Sequence, residues 1–225
     1  MRLLRQERQL KLKARRGNQP SVYCIVGVGN PGPDFEGTRH NIGFRVVRAW
    51  VTKRNLGRFR RKFLGRFTQD RRVAVLLPQT FMNETGRSVA TCLKFFRLLP
   101  EDLMVTHDDV DLPFGQIRFK QGGSSAGHKG LRSIESNLGS VKFSRLRFGV
   151  GRISAIPTEE YVLQLFSREE EHQLPQLLQL ATEGLDLWLE QGLESCMNRF
   201  NRKNMLEADL LADAKVVLPK DSAER

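Results

Sequence analysis

Short apolar runs alternate along the chain with longer segments of helical periodicity. Residues 22–29, 73–78 and 103–106 are mostly apolar and predict buried strands of a sheet that is covered on both faces. Residues 116–120 and 145–150 alternate apolar and polar side chains, which predicts strands that are more exposed.

Apolar side chains recur at helical spacing between and after these strands. The predicted helices cover residues 38–53, 84–98 and 128–138, and a long helix starts near Ser167, where three glutamates favour a first helical turn. Strands that alternate with helices predict an α/β fold. We expect a single domain with a mixed, mostly parallel, twisted sheet that is flanked by helices on both faces.

The predicted domain spans residues 21–204, because 225 residues supply one full core but not two. Residues 1–20 form a basic N-terminal tail that we expect to be flexible, and residues 205–225 form a polar C-terminal tail that we expect to be partly disordered. No stretch approaches the roughly 18 apolar residues of a membrane helix, so no membrane partner is expected.

The chain carries a formal net charge of +12, which is typical of proteins whose partner is a polyanion. This favours nucleic acid over an anionic membrane surface. Residues 1–20 hold seven Arg or Lys and one Glu, so the excess persists after the tail is discounted. The tail fits a solubilising arm, an RNA-contacting arm or, despite its lack of serine enrichment, an organelle-targeting segment.

Three cysteines, Cys24, Cys92 and Cys196, are far apart and form no CxxC pair. They predict neither a disulfide framework nor a zinc knuckle, and their apolar surroundings predict small buried side chains. We therefore expect a reducing compartment: the cytoplasm, or an organelle if the tail is a targeting segment.

The segment GVGNPG (residues 27–32) follows the first predicted strand and matches the GxGxxG pattern of dinucleotide-binding turns. In such a turn the third glycine opens a helix that faces the pyrophosphate. Here prolines indicate an extended loop, and Lys53 and Arg54 stand where an acidic residue would bind the ribose. An NADP-dependent oxidoreductase is a minor alternative. The favoured interpretation is that Asn30 presents its amide at a strand end, where sites form in α/β proteins.

His40 lies in the first turn of the next predicted helix, which Thr38 is expected to cap. A lone histidine is more often structural than catalytic, so His40 needs a partner. If Asp108, at the end of the third buried strand, accepts a hydrogen bond from His40, the other ring nitrogen can deprotonate water. A divalent metal bound by His107 and the acidic run at residues 108–111 is the less favoured alternative.

Two further segments carry polar groups at predicted element ends. Asn83 can direct its amide at a bound carbonyl while Met82 lines an apolar wall, and a helix N-cap is an equal alternative for Asn83. The glycine-rich residues 122–130 lead into a helix, where backbone N–H groups and Lys129 could hold phosphate. A mobile lid is the alternative for this segment.

Five of these segments, in this order, resemble the bacterial-type peptidyl-tRNA hydrolase family. They are IVGVGNPG (25–32), TRHNIG (38–43), PQTFMN (78–83), HDDVDLP (107–113) and RLRFGVG (145–151), and the resemblance spans about residues 22–202. It implies an esterase that cuts the bond between a peptide and the 3′ end of tRNA, without a metal or organic cofactor.

The resemblance also implies roles for individual residues: His40 as the catalytic base and Asp108 as the group that orients it. The predicted substrate-binding residues are Asn30, Phe35, Met82, Asn83 and Lys129. The predicted tRNA-binding residues are Arg118, Lys120 and Arg147. Lys129 stands where members of the family commonly have Asn, and Phe35 where they often have Tyr.

Two functions of different classes fit the sequence. One is an active hydrolase of peptidyl-tRNA, and the other is a catalytically weak, hydrolase-like RNA-binding factor that serves in intron splicing or ribosome assembly. Asn30, His40, Asn83 and Asp108 together favour the enzyme, since an RNA scaffold does not need the complete set. We expect a monomer with no metal and no cofactor.

Overall fold

The computed structural model describes residues 22–201, so both predicted tails lie outside the described residues. The strands are β1 (Tyr23–Gly27), β2 (Arg60–Lys62), β3 (Gly65–Gln69), β4 (Val73–Pro78), β5 (Leu103–Asp109), β6 (Ile117–Gln121) and β7 (Ser144–Gly149). The α-helices are α1 (Ile42–Lys53), α2 (Thr85–Phe96), α3 (Lys129–Leu138), α4 (Thr158–Tyr161) and α5 (Arg168–Phe200). Within this range no helix combines the length and apolarity that a membrane crossing requires.

The strands form one sheet in the order β2-β3-β4-β1-β5-β7-β6. The four central strands β4, β1, β5 and β7 are parallel, while β3 and β6 run antiparallel to their neighbours. The predicted mixed sheet is confirmed. Because β1, β4 and β5 are parallel neighbours, the loops that follow them meet at the same end of the sheet.

Neighbouring residues of each central strand point to opposite faces of the sheet, and each face has its own core. Ile25 of β1 packs in the core that contains Trp50 of α1 and Leu185 of α5. Val26 packs in the other core, with Val89 of α2 and with side chains of α3. The expected helices on both faces are therefore present, and the buried strands are apolar on both sides.

Two features of the sheet differ from the sequence-based expectation. Strand β7 was expected to be rather exposed, but most of it is buried because it lies between β5 and β6. The β2–β3 hairpin was not predicted, because its segment is rich in Arg and Lys and contains no apolar run. The other predicted strands and helices are present, with shifts at their ends.

Two glycines allow α1 to begin directly against the sheet. A Cβ atom added to Gly27 of β1 would lie 2.4 Å from the carbonyl oxygen of Gly43, and one added to Gly43 would lie 2.4 Å from the carbonyl oxygen of Thr106. Any side chain at either position would therefore push α1 away from β1 and β5. This close contact places His40, just before α1, at the end of the sheet.

Candidate active site

A cavity of about 400 Å³ opens where the loops after β1, β4 and β5 meet. Its walls include Asn30, His40, Met82, His107, Asp108, Asp109, His128, Lys129, Arg152, Glu159 and Val162. The structure thus brings together five of the residues that the sequence singled out: Asn30, His40, Met82, Asp108 and Lys129. The cavity combines a few polar groups with apolar walls, as small-molecule sites commonly do.

His40 and Asp108 meet at the end of the sheet. His40 lies in the 3-10 turn Arg39–Asn41 that precedes α1, and Asp108 lies near the end of β5. The Nδ1 atom of His40 is 3.0 Å from each carboxylate oxygen of Asp108. Because an ionised carboxylate can only accept, Nδ1 donates, and Nε2 is left without a proton in the cavity that His40 lines. The expected contact between the two residues is present.

The charge of Asp108 sets the basicity of His40. Burial, the largest single effect, would raise the pKa of Asp108, but the charges and hydrogen bonds of His40 and His128 together hold that pKa well below its usual range. Burial is also the largest effect on His40 and lowers its pKa, yet the charge and hydrogen bond of Asp108 outweigh it, so the pKa of His40 is raised. The positive charge of Lys129 opposes this rise.

His128 is a second imidazole on the same carboxylate. Its Nδ1 accepts the backbone N–H groups of Gly130 at 3.1 Å and Leu131 at 3.3 Å, so His128 caps α3. The ring proton is therefore on Nε2, which donates to Asp108 Oδ1 at 3.0 Å. Apart from the position of His128 at a helix start, this role could not be inferred from the sequence, because the contact with Asp108 exists only in the folded chain.

His107 forms a neutral part of the cavity wall. The residue is 3% exposed, and its Nδ1 donates to the backbone carbonyl of Asp108 at 2.6 Å. Burial, reinforced by the nearby charge of His128, lowers the pKa of His107 to about 3. Its Nε2 is buried without a hydrogen-bond partner among the described residues. His107 is therefore an uncharged part of the wall, and its remaining ring nitrogen is buried.

Asn30 connects two of the loops that border the cavity. Its Oδ1 accepts the backbone N–H of Met82 at 2.9 Å, which joins the loop after β1 to the loop after β4. Asn41, which the sequence analysis did not single out, donates to the Asn30 carbonyl at 2.9 Å and accepts the Asn30 N–H at 2.8 Å. With Oδ1 occupied, Asn30 can offer Nδ2 as a donor to a ligand.

Arg39 holds the turn that carries His40 against the C-terminal part of the described chain. Its guanidinium pairs with Glu170 at 2.6 Å, donates to the carbonyl of Leu165 and stacks 4.5 Å from the ring of Tyr161. The sequence analysis assigned no role to Arg39, which appears there only within the TRHNIG segment. Its partners lie more than a hundred residues away, so no local pattern indicates them.

Asn83 lies outside the cavity wall. It is exposed in the 3-10 turn Met82–Glu84, directly after Met82. The alternative role as a helix N-cap is wrong, since Phe81 occupies the N-cap position of that turn and Glu84 that of α2. Contact between Asn83 and a substrate carbonyl stays a prediction.

The loop that contains the GxGxxG match does not form a nucleotide-binding turn. It is followed by the 3-10 turn Pro33–Phe35 instead of a helix that starts at Gly32. Phe35 is half-buried there and does not line the cavity, so its substrate role stays a prediction.

Thr38 does not cap the next helix through its side chain, because its hydroxyl donates to the carbonyl of Phe35 at 2.8 Å.

Lys129 brings a positive charge into the cavity. Its Nζ is 3.0 Å from a carboxylate oxygen of Glu159 on α4, and both side chains are largely exposed, so the pair contributes little stability. The expectation that N–H groups at the start of α3 hold phosphate is wrong for Gly130 and Leu131, since His128 occupies both. Lys129 itself remains available to a ligand.

The carboxylates next to Asp108 are neutralised by arginines. Asp109 pairs with Arg147 at 2.6 Å, and Asp111 pairs with Arg152 at 3.1 Å. Each of these two carboxylates therefore has an arginine that balances its charge. Asp111 lies in a turn, where its N–H donates to Asp109 Oδ1 at 3.0 Å.

The ligand atoms of His40, Asp108 and His128 lie within 4.8 Å of one another, which is a spacing that a metal ion could use. However, both rings lie at hydrogen-bonding distance from the carboxylate, and the capping role of His128 keeps the proton on the nitrogen that faces Asp108. A metal would have to displace that proton. The arrangement fits a hydrogen-bonded catalytic group better than a metal site.

Comparison with known proteins identifies the family. A family model described as peptidyl-tRNA hydrolase matches residues 24–208. A peptidyl-tRNA hydrolase from Geotalea uraniireducens is 44% identical over 190 residues, which cover 83% of this chain and 100% of that protein. One from Staphylococcus aureus is 41% identical and covers 80% of this chain and 98% of its own length. The chain belongs to the peptidyl-tRNA hydrolase family.

Solved structures of the peptidyl-tRNA hydrolase family have the same fold. The crystal structure of the enzyme from Acinetobacter baumannii superposes with a TM-score of 0.74 at 32% identity, and the match covers 82% of this chain and 97% of that one. A complex of peptidyl-tRNA hydrolase with N-propanol gives the same TM-score and identity, and covers 80% of this chain. The resemblance inferred from five sequence motifs and the predicted fold class are confirmed.

In a peptidyl-tRNA hydrolase, basic residues outside the cavity are candidates for contact with the nucleic acid. Arg118 of β6 lies opposite Arg147 of β7, and Lys120 lies opposite Arg145. Like charges at opposed positions destabilise a sheet unless anions balance them. Carboxylates of β5 and α3 balance Arg147 and Arg145, but within residues 22–201 no carboxylate pairs with Arg118 or Lys120. The three predicted tRNA-binding residues therefore do lie together.

Proposed function

We propose that this protein hydrolyses the ester between a peptide and the 3′ end of tRNA, and so returns free tRNA to translation. The observation that carries the proposal is the pairing of His40 with the buried carboxylate of Asp108, which leaves Nε2 of His40 unprotonated in the cavity. The family membership supports the enzyme over the hydrolase-like RNA-binding factor.

In the proposed reaction, His40 acts as a general base. Its Nε2 takes a proton from a water molecule, which attacks the ester carbonyl carbon and forms a tetrahedral intermediate. The intermediate then expels the ribose oxygen, and the proton on His40 can pass to that leaving group. Asp108 stabilises the positive charge that His40 carries in between, and it holds the ring in one orientation.

Donors at the cavity would meet the negative charge that develops on the carbonyl oxygen. Asn30 offers its Nδ2, because its Oδ1 is occupied by Met82. Lys129 offers an ammonium group at the same cavity, where members of the family commonly have Asn. Asn83 is exposed directly after Met82, outside the cavity wall, and its amide would donate to a substrate that extends out of the cavity past Met82.

The tRNA body would lie along the β6–β7 edge, where Arg118, Lys120 and Arg147 share one face of the sheet. Opposed cations that lack carboxylate partners are suited to phosphate groups. We further propose a monomer that needs no metal and no membrane, and that acts in the cytoplasm.

The decisive experiment compares His40→Ala with His172→Ala on N-acetyl-aminoacyl-tRNA. His172 is an exposed histidine of α5 and serves as the matched control. We expect His40→Ala to lower kcat at least ~10²-fold, as loss of a general base does, and to leave tRNA affinity within about twofold. The His172→Ala variant should match the parent. Equal turnover in all three proteins would refute the role of His40.

A further inference from the structure

The positive charge of the chain is concentrated in two segments. Residues 1–20 hold seven basic residues and one acidic residue, and residues 58–72 hold the same numbers. Since the net charge is +12, these two segments account for all of it, and the rest of the chain is balanced. Residues 58–72 include the β2–β3 hairpin, which forms the edge of the sheet opposite to β6.

The basic residues of this hairpin are not neutralised by the protein. Elsewhere many arginines are paired with carboxylates, as Arg39 is with Glu170 and Arg147 is with Asp109. In residues 58–72 none of the seven basic side chains forms an ion pair within the described part of the chain. The one acidic residue, Asp70, accepts from backbone N–H groups of the β3–β4 turn instead.

Aromatic and aliphatic side chains are exposed beside these cations. Phe95 of α2 is 58% exposed, and Leu64 at the tip of the hairpin is 52% exposed. The ammonium group of Lys62 lies 3.9 Å from the ring centroid of Phe95. The ring of Phe63 lies 5.1 Å from that of Phe95, which extends the aromatic surface toward the tip. Exposed rings between unpaired cations are the features on which unpaired nucleotides stack.

The tip of the hairpin holds Leu64 outward and Phe63 half-buried against the α2 core, at a conformational cost. Phe63 and Leu64 both have positive φ, at 56° and 54°, where turns normally use Asn or Gly. The Phe63 carbonyl accepts from Ser88 at 2.6 Å, and the Leu64 carbonyl accepts from the N–H of Gln79 at 2.9 Å. The tip is therefore fixed next to the end of β4, at the same end of the sheet as the catalytic cavity.

Charge on an edge strand also prevents unwanted pairing between sheets, and β2 alone could serve that purpose. That explanation does not cover the basic residues outside β2 or the exposed ring on α2. They surround the same edge: Arg60 and Lys62 lie on the face of the sheet that carries Phe95, while Arg61 and Arg66 lie on the opposite face. We call the residues on the Phe95 side the hairpin surface: Arg58, Arg60, Lys62, Leu64 and Phe95.

We propose that the hairpin surface is a second RNA-binding surface, which binds unpaired RNA through phosphate contacts and base stacking on Phe95. It is separated from the β6–β7 edge by the whole sheet, roughly 30 Å at the usual strand spacing. The two surfaces flank the cavity, so one RNA molecule could contact both, or a second RNA could bind the hairpin surface. The proposal does not depend on hydrolysis by the cavity.

The test measures binding of full-length protein to a labelled oligouridylate about ten nucleotides long, within the usual site size for unpaired RNA. Arg58, Arg60 and Lys62 are replaced together by Gln. The control replaces Arg48, Lys53 and Arg168 by Gln, which removes the same charge from other parts of the surface. We expect the hairpin variant to bind at least tenfold more weakly and to lose about two units from the slope of log K against log salt. The control should keep the parent slope.

Stacking is tested by Phe95→Ala, with Phe95→Leu as a variant that keeps apolar packing without a ring. Both should bind oligouridylate about tenfold more weakly and duplex RNA of the same length nearly unchanged. Competition by intact tRNA distinguishes one RNA that spans both surfaces from a separate RNA. Arg58, Arg60 and Lys62 lie outside the cavity, so the hairpin variant should hydrolyse a short acylated oligonucleotide at the parent rate.

Three results would overturn the proposal. The hairpin variant could bind RNA as the control does, both Phe95 variants could bind oligouridylate as the parent does, or the hairpin surface could bind only phosphatidylserine vesicles. The last result would assign it to an anionic membrane. Loss of hydrolysis in His40→Ala with unchanged hairpin binding would leave this proposal intact, so the two proposals fail separately.

Discussion

Replacement of Asp108 by Asn tests how the cavity fixes the tautomer of His40. The amide has nearly the same shape as the carboxylate, but it must present an NH2 group to one of the two imidazoles. His128 cannot accept from that group, because its Nδ1 already accepts from the start of α3 and its Nε2 carries the proton. The NH2 group must therefore take the position of Oδ2, 3.0 Å from His40 Nδ1, while the amide oxygen takes the position of Oδ1, which is also 3.0 Å from that nitrogen. The NH2 group favours the tautomer in which His40 accepts at Nδ1 and carries its proton on Nε2, where it can no longer act as a base.

The size of the effect follows from this displacement of the proton. Loss of one charge-assisted hydrogen bond alone would cost about 1.5–3 kcal/mol, or roughly 10- to 150-fold in rate. A wrong tautomer costs more, up to about 10⁴-fold when an analogous Asp is replaced in serine proteases. Because the NH2 group favours the wrong tautomer while the amide oxygen can still accept from Nδ1, we expect a loss between these limits, about 10³-fold in kcat/KM.

The assay is hydrolysis of N-acetyl-aminoacyl-tRNA across pH, with a thermal melt to confirm folding. In the parent, activity requires neutral His40, whose pKa is raised, so kcat/KM should increase through a pKa above the ordinary value of about 6.5. Without the charge of Asp108, burial dominates and lowers the pKa of His40. The residual activity should therefore reach its plateau at lower pH than in the parent.

A second substitution separates the tautomer from the lost charge. His128→Asn keeps a side chain that can cap α3 but frees the group at position 108 to rotate. In the double variant the NH2 group at position 108 can turn toward position 128 and away from His40, so we expect at least about tenfold recovery over Asp108→Asn alone. If the double variant is no more active than the single one, the argument from His128 is refuted.

Three further predictions concern groups around the same site. Lys129→Met should raise the pKa of His40 and shift the rising limb of the kcat/KM profile to higher pH, because the positive charge that opposes protonation is removed. Lys120→Ala should lower the slope of log K for tRNA against log salt by about one unit, and Arg147→Ala by less, since Asp109 already neutralises part of Arg147. Hydrolysis should survive exhaustive chelation of the protein, with Mg²⁺ for tRNA folding controlled separately; recovery only after added zinc or manganese would contradict this.

The elements with strong local patterns could be predicted from the sequence. The apolar runs of β1, β4 and β5 identified buried strands of the sheet, and the glutamates after Ser167 marked the start of α5, where the structure shows a capping box. The β2–β3 hairpin could not be predicted, because its turn uses Phe63 and Leu64 where turn-forming residues are expected. Local pattern therefore fails where the chain accepts an unfavourable turn that tertiary contacts hold.

The site was predictable to the extent that it depends on strand ends. The contact between His40 and Asp108 could be predicted, because His40 comes after β1, Asp108 lies near the end of β5, and these strands are parallel neighbours. The contact between His128 and Asp108 could not be predicted, because it depends on where α3 packs against the sheet. The distinction between Asn30, which lines the cavity, and Asn83, which does not, likewise depends on loop geometry that no spacing in the sequence specifies.

Net charge indicated a polyanionic partner but could not say where it binds. Once the tail and residues 58–72 are set aside, the remaining chain is neutral, so composition does not support tRNA binding at the β6–β7 edge. What supports it is local: Arg118 and Lys120 face other cations across the strands without carboxylate partners among residues 22–201. An arrangement that destabilises the isolated sheet becomes favourable when phosphates are bound, and opposed cations are therefore a better guide to an RNA surface than a count of charges.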